Sequence, residues 1–116
     1  MNYKLIIAMV KTNKTDRIVE EAKAAGGTGA TIIPARGTGI HEAKTFFGLT
    51  LEAQTDVVLF LIEERLVEPV LGAIYKAGHF KEAGTGIAFV LDLERAVGLE
   101  SQIDHFKKEA EKINPH

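Results

Sequence analysis

The stretch DVVLFLI at residues 56–62 carries the clearest strand signal in the sequence. A short, nearly continuous apolar run of this kind is typical of a β-strand buried on both faces. Similar runs occur at 3–10 (YKLIIAMV), 30–36 (ATIIPAR) and 87–93 (IAFVLDL). Because Pro34 cannot donate a hydrogen bond to a neighbouring strand, its run is expected at a sheet edge or a bulge. The sequence therefore predicts four strands.

Helical periodicity separates these runs. Apolar residues at i, i+1, i+4 and i+7 from Ile18 predict a first amphipathic helix, which Gly26 ends. A second helix is predicted from about Leu66 to Lys76, with Pro69 tolerated in its first turn. A third helix is predicted over 100–113, opened by a capping box that begins at Ser101. The first helix is expected to be capped by polar side chains at its start: Thr12, Asn13 and Thr15.

The resulting order β-α-β-β-α-β, followed by a tail helix, is that of an α+β fold, the ferredoxin-like split βαβ sandwich. A length of 116 residues fits one domain, which spans 1–116. Both helices are expected on one face of the sheet. The strands lack the polar alternation of a sheet that faces water, so the other face is expected to pack on further copies of the chain in a closed cyclic assembly.

Composition excludes several classes of protein. With no cysteine, the chain has no disulfide, no cysteine–zinc site and no thiol catalysis. The net charge of −2 and the lack of a basic stripe argue against nucleic acid as a partner. The run at 3–10 is too short to span a bilayer and lacks the features of a signal peptide. We therefore expect a cytoplasmic protein.

Two glycine-rich stretches carry a family resemblance. Residues 26–39 read GGTGATIIPARGTG and residues 84–90 read GTGIAFV. They resemble the patterns G-x-x-G-x-T-V-x-x-x-K-G-x-G and G-D-G-K-I-F-V of the PII signal-transduction family. The order of elements also matches that family over nearly all of residues 3–97.

The resemblance implies a homotrimer that binds an adenine nucleotide (ATP, ADP or AMP) in clefts between subunits. It also implies that a mobile loop, here 38–54, docks on a target protein such as a membrane transporter or an enzyme. Glycines would let backbone amides approach a phosphate, and apolar residues would form a wall for the base. The ligand-binding residues expected on this basis are Thr31, Gly37, Thr38, Gly39, His41, Leu61, Ile62, Gly84, Thr85 and Gly86.

Several residues depart from the family pattern. Ile87 stands at the position of a phosphate-binding lysine, and Gly98 and Glu100 stand at those of two arginines. The loss of three cations predicts weaker triphosphate binding, a preference for fewer phosphates, or another ligand. Lys81 and Arg95 are candidates to replace part of this charge.

The predicted loop 38–54 also departs from the family pattern. His41 replaces a glutamine that helps to bind magnesium and 2-oxoglutarate in the family, so binding of either is not expected. No tyrosine is available there for uridylylation. The adjacent Phe46 and Phe47 either anchor a partner or tuck against the parent trimer. His41 beside Glu42 lacks further ligands at metal-site spacing, so no metal site is predicted.

Two alternatives belong to other classes of protein. A CutA-like trimeric protein of metal binding and tolerance shares the split βαβ fold. A small enzyme of the same fold could use the paired acids Glu63 and Glu64 in acid–base chemistry. We favour acids at a helix N-terminus for that pair and predict no catalytic residues.

Overall fold

The computed structural model of the chain describes residues 2–35, 45–46, 49–50, 54–99, 101–102, 104–105 and 108. Its regular elements follow the predicted order, with two small additions, a short two-stranded hairpin and a 3₁₀ turn. They are β1 (Tyr3–Lys11), α1 (Thr12–Ala24), β2 (Thr31–Ala35), β3 (Thr45–Phe46), β4 (Leu49–Thr50), β5 (Thr55–Glu63), a 3₁₀ turn (Glu64–Leu66), α2 (Val67–Ala77) and β6 (Gly86–Asp92).

The main sheet has the order β2-β5-β1-β6, and every neighbouring pair is antiparallel. The first and third long strands in the chain are thus central, and the two others form the edges. This is the topology of the predicted ferredoxin-like fold, which is confirmed. The prediction that the strand with Pro34 lies at an edge is also confirmed, since β2 pairs only with β5 among the described strands.

One face of this sheet carries the hydrophobic core. Side chains alternate along β1 and β5, so that every second residue faces the helices. The helices contribute apolar residues from a single stripe each, which buries them against that face. The core consists of Ile6, Ala8, Val10, Ile18, Ala22, Val58, Phe60, Ile62, Val70, Ile74 and Ala77.

The opposite face, which we call the open face, is apolar, and neither α1 nor α2 covers it. Ile7 lies at its centre, paired with Leu59 on one side and Phe89 on the other. At one end of this face, on either side of Leu5, Leu61 and Leu91 are 41% and 42% exposed. In one chain the helices cover only one side of the sheet, so the expected burial of the other face against further copies of the chain stays a prediction.

Local details differ from the sequence expectations at the first helix. The N-cap position of α1 is Lys11, and no side chain caps the helix there. Thr15 instead lies inside α1, where its Oγ1 donates a 2.7 Å hydrogen bond to Oδ2 of Asp56. The predicted capping role of Thr15 is wrong because its hydroxyl faces a buried carboxylate on β5.

The short hairpin of β3 and β4 lies within residues 38–54, which the sequence predicts to be a mobile loop. Leu99 is already helical and the amide of Gln102 donates to the carbonyl of Gly98, so Ser101 does not cap a helix. The extent of the helix over 100–113 stays a prediction. Within the described residues, no helix has the length and apolar character needed to cross a bilayer.

Candidate functional site

The glycine-rich turn before β6 is held in place by the side chain of Thr85. This residue is 6% exposed, and its Oγ1 lies 2.8 Å from both the carbonyl oxygen of His79 and that of Glu82. A hydroxyl has one proton, so it donates to one of these carbonyls at a time. Gly84 adopts a φ of 77°, a conformation that favours glycine. The Thr85 side chain therefore shapes the turn from inside.

Backbone amides of the same turn have no main-chain acceptor within the described residues. Among the described residues, no main-chain carbonyl accepts a hydrogen bond from the amides of Ala83, Gly84 or Thr85. Successive free amides in a turn form a concave site suited to anions. The Thr85 hydroxyl is engaged within the turn and Gly86 pairs with Val10 of β1. The phosphate-binding role of Gly84, Thr85 and Gly86 stays a prediction.

A second feature, which we call the base groove, lies on the open face at the other end of the sheet. It has a volume of about 380 Å³ and is mostly apolar. Thr31 and Leu61, predicted separately as ligand residues, line it together. Ile62 does not, because it faces the helices and is 2% exposed. The groove is lined by Leu5, Thr28, Gly29, Ala30, Thr31, Leu59, Leu61, Leu99 and Gln102.

The turn and the base groove are far apart within one chain. Gly86 lies opposite Val10 of β1, and Leu61 lies opposite Leu5. The five-residue separation along β1 corresponds to about 17 Å, at roughly 3.4 Å per strand residue. The predicted residues therefore form two half-sites at opposite ends of the sheet. Gly37, Thr38, Gly39, His41 and Phe47 fall outside the described residues, and Phe46 belongs to β3.

A larger groove, which we call the charged groove, adjoins the base groove. It has a volume of about 1250 Å³ and shares Leu99 with the base groove. Sequence reasoning missed it, since its residues come from both ends of the chain and form no local motif. It is lined by Asn2, Tyr3, Lys4, Asp92, Leu93, Glu94, Arg95, Ala96, Val97, Gly98, Leu99, Ser101 and Asp104.

Ion pairs fix one side of the charged groove. Lys4 Nζ donates to Asp92 Oδ1 and lies 3.9 Å from Glu64 Oε1. The hydrogen bond to Asp92 is the main cause that raises the pKa of Lys4. Arg65 pairs with Glu63 at 2.9 Å, and burial, followed by the Glu63 charge, raises the pKa of Tyr3.

The paired acids are thus engaged in structural contacts. Glu63 accepts from the Tyr3 hydroxyl and Glu64 accepts from Asn2, which agrees with the structural interpretation of this pair. Within the described part of the chain, no three His, Asp or Glu side chains are grouped so that they could hold a metal ion.

Comparison with known proteins adds independent information. The sequence model described as "Nitrogen regulatory protein P-II" matches residues 3–102. The chain is similar to the nitrogen regulatory protein P-II of Azospirillum brasilense, with 29% identity over 103 residues, which cover 84% of this chain and 92% of that relative.

Solved structures agree on the fold. A PII-like signalling protein from Thermus thermophilus is 26% identical with a TM-score of 0.61, and the match covers 80% of this chain and 88% of that protein. CPII from Thiomonas intermedia K12, bound to ADP, AMP and acetate, is 19% identical with a TM-score of 0.65, and the match covers 85% of this chain and 93% of that protein. The latter likeness concerns the fold alone.

Proposed function

This chain belongs to the nitrogen regulatory protein P-II family, and from that premise we propose that it is a trimeric regulator that binds an adenine nucleotide between subunits. Membership confirms that the chain is a regulatory signalling protein and not an enzyme. It also decides between the two families considered from the sequence, in favour of P-II over the CutA-like alternative.

The separation of the two half-sites is the observation that carries the proposal. Within one chain, the amides before Gly86 and the groove beside Leu61 are too far apart to hold the base and the phosphates of one nucleotide together. The open face supplies the apolar surface on which copies pack. A cyclic assembly brings the turn of one subunit to the base groove of the next, so that each cleft contains a complete site.

The chemistry of each half-site suits a nucleotide. The apolar side chains of Leu5, Leu59 and Leu61 offer contact area to a planar base, while the Thr31 hydroxyl can hydrogen-bond to its edge. The amides of Ala83, Gly84 and Thr85 offer donors to a phosphate. The complex of CPII with ADP and AMP supports this class of ligand.

The signal is proposed to leave the protein through residues 38–54, which dock on a target protein such as a membrane transporter or an enzyme in the cytoplasm. Phe46 and Phe47 are the proposed anchors, because aromatic side chains commonly dominate the energy of protein interfaces. His41 replaces the family glutamine of the magnesium and 2-oxoglutarate site, so neither is part of the proposed ligand set.

Two measurements test the proposal together. Light scattering after gel filtration should give three times the mass of one 12.6 kDa chain. Thermal shift with ATP, ADP, AMP and divalent metals should show stabilisation by adenine nucleotides alone, since a ligand that binds only the folded state raises its stability. A monomer, or a response only to copper or zinc, would contradict the proposal.

A variant localises the ligand. Leu61→Ser removes apolar contact area from the base groove at a position that is 41% exposed in the single chain, so the subunit should stay folded, and light scattering shows whether the trimer is kept. We expect AMP and ADP to bind more weakly by about tenfold, in keeping with the loss of one apolar side chain from a pocket. Lys23→Ser, on the exposed side of α1, serves as the control and should bind as the unmodified protein does.

A further inference from the structure

The outer side of α2 carries a stripe of exposed residues. The helix buries Val70, Ile74 and Ala77 in the core, so its opposite side points away from the sheet. Residues three and four positions apart share one side of a helix. Five exposed residues at these spacings form what we call the α2 stripe, which consists of Glu68, Pro69, Gly72, Tyr75 and Lys76.

The ring of Tyr75 is held in place although it is 51% exposed. It contacts the ring of Phe80 edge to face, with 6.4 Å between the ring centroids. Tyrosine is among the residues that most often anchor protein interfaces, and a side chain that is ordered before binding loses little freedom when a partner covers it. Tyr75 therefore has the properties of an interface anchor.

Gly72 leaves open space beside this ring. Among the described residues, no atom lies within 4 Å of the position that a Cβ atom would take there. A second helix that crosses α2 at Gly72 can approach its backbone closely, because no side chain stands between them. The stripe thus combines a fixed aromatic ring with a point of close approach.

The α2 stripe is arranged symmetrically about Gly72. Glu68 lies four residues before Gly72 and Lys76 four residues after it, while Pro69 and Tyr75 lie three residues on either side. In two antiparallel copies of the helix related by a two-fold axis at Gly72, Glu68 is level with Lys76 of the second copy, and Pro69 with its Tyr75. Within the described part of the chain, neither Glu68 nor Lys76 already has an ionic partner.

We propose that the α2 stripe is a docking surface for the α2 stripe of a second copy of this chain, packed antiparallel. Because the contact is symmetric, it forms two glutamate–lysine pairs and two proline–tyrosine contacts at once. The α2 stripe lies on the other side of the sheet from the open face, so this contact joins one trimer to another. It goes beyond the proposed function and does not depend on nucleotide binding.

The size of the contact sets its strength. It involves one helix of 11 residues from each copy, and interfaces of this size are weak and transient. The trimer should therefore exist alone at the dilution of gel filtration. Sedimentation velocity at rising protein concentration, up to about 1 mM, should show a larger species in reversible exchange with it.

An exchange of charges tests the antiparallel arrangement. Glu68→Lys leaves a cation at both ends of the stripe, and Lys76→Glu leaves an acid at both ends. Each variant alone should associate about tenfold more weakly, since like charges then face each other. An equal mixture of the two should recover the larger species, because each cation of one variant meets an acid of the other. Circular dichroism should show that both variants are folded.

Glu20→Lys and Lys23→Glu are the matched controls, since they change the net charge equally at exposed positions of α1. Each should associate as the unmodified protein does. Absence of any larger species from the unmodified protein up to about 1 mM overturns the proposal. So does a mixture of the α2 variants that stays dissociated. If the protein is a monomer when dilute, the proposed trimer fails, while the α2 contact would still appear as a dimer.

Discussion

Phe80 occupies the space beside Gly86 where any larger residue would place its Cβ atom. A Cβ built on Gly86 would lie 2.4 Å from Cε1 of Phe80 and 3.0 Å from the carbonyl oxygen of Met9. The Phe80 ring is held in turn by an edge-to-face contact with Tyr75, at 6.4 Å between ring centroids. The glycine that ends the proposed phosphate-binding turn is thus required by packing.

Gly86→Ala should therefore destabilise the protein. The ring can rotate only at the cost of its contact with Tyr75, and the carbonyl of Met9 belongs to the central strand and cannot move freely. Overpacking of this kind costs about 1–3 kcal/mol, which urea denaturation can measure. Gly72→Ala is the control, since nothing lies within 4 Å of its Cβ position in α2. That change should be neutral or stabilise the helix, and equal effects of the two would contradict the packing argument.

The buried pair of Thr15 and Asp56 supports a second prediction. Both residues are nearly inaccessible, at 3% and 6% exposure, and their side chains are joined by a 2.7 Å hydrogen bond. Thr15→Val has nearly the same shape but takes the donor away from a buried carboxylate, so we expect a loss of about 1–3 kcal/mol in the free energy of unfolding. Thr15→Ser keeps the hydroxyl and should lose less. If Val and Ser variants are equally stable, the hydrogen bond does not stabilise the fold.

The fold could be predicted from the sequence because the spacing of apolar residues along the chain follows from which side chains are buried. The runs that contain Phe60 and Ile6 became the two central strands, and the helix periods that contain Ile18 and Ile74 became the buried stripes. The contacts at the start of α1 could not be predicted in this way. Threonine is a residue type that often caps helices, so Thr15 was predicted to do so. Its actual partner, Asp56, lies 41 residues away in the chain, and a pattern of neighbouring residues cannot predict such a contact.

Only part of the candidate site could be predicted from the sequence, because some of its residues are brought together by contacts between distant parts of the chain. Thr31 and Leu61 were predicted from a resemblance, and the sheet register explains why they meet, since Thr31 lies opposite Leu59. The alternation of strand residues also explains why Ile62 does not join them. The charged groove combines residues near both chain ends, Lys4 and Asp92, so it follows only from the pairing of β1 with β6.

The environment of Tyr3 makes the free energy of unfolding depend on pH in the alkaline range. Burial and the Glu63 carboxylate raise the pKa of Tyr3 above its usual value of 10.0. The folded protein thus holds the phenol proton more tightly than the unfolded chain does. The free energy of unfolding should be insensitive to this group below about pH 10 and should fall as the pH rises above that value.

Tyr3→Phe isolates this effect, because it keeps the ring and removes the titrating hydroxyl. Urea denaturation at several pH values should show a smaller alkaline loss of stability in the variant. The pKa of Lys4 is also raised and acts in the same direction, but it contributes to both proteins and cancels in the comparison. Identical pH profiles would show that Tyr3 does not titrate differently in the folded and unfolded states.

The open face gives the sharpest prediction about assembly. Ile7 lies in the central strand between Leu59 and Phe89, and its side chain is only partly covered in the single chain. Ile7→Asp should leave the individual subunit folded, because the introduced carboxylate can reach water there. In the assembly the same carboxylate would be buried without a partner, at a cost of several kcal/mol.

We therefore expect Ile7→Asp to elute and scatter light as a folded monomer, with the far-ultraviolet circular dichroism of the unmodified protein. Ala24→Asp, which places the same charge on the exposed surface of α1, is the control and should remain a trimer. Nucleotide binding should be lost along with assembly, because the turn before Gly86 and the groove beside Leu61 can form one site only across two subunits. A monomeric variant that still binds ADP with full affinity would show that one chain contains a complete site, and the shared cleft would have to be abandoned.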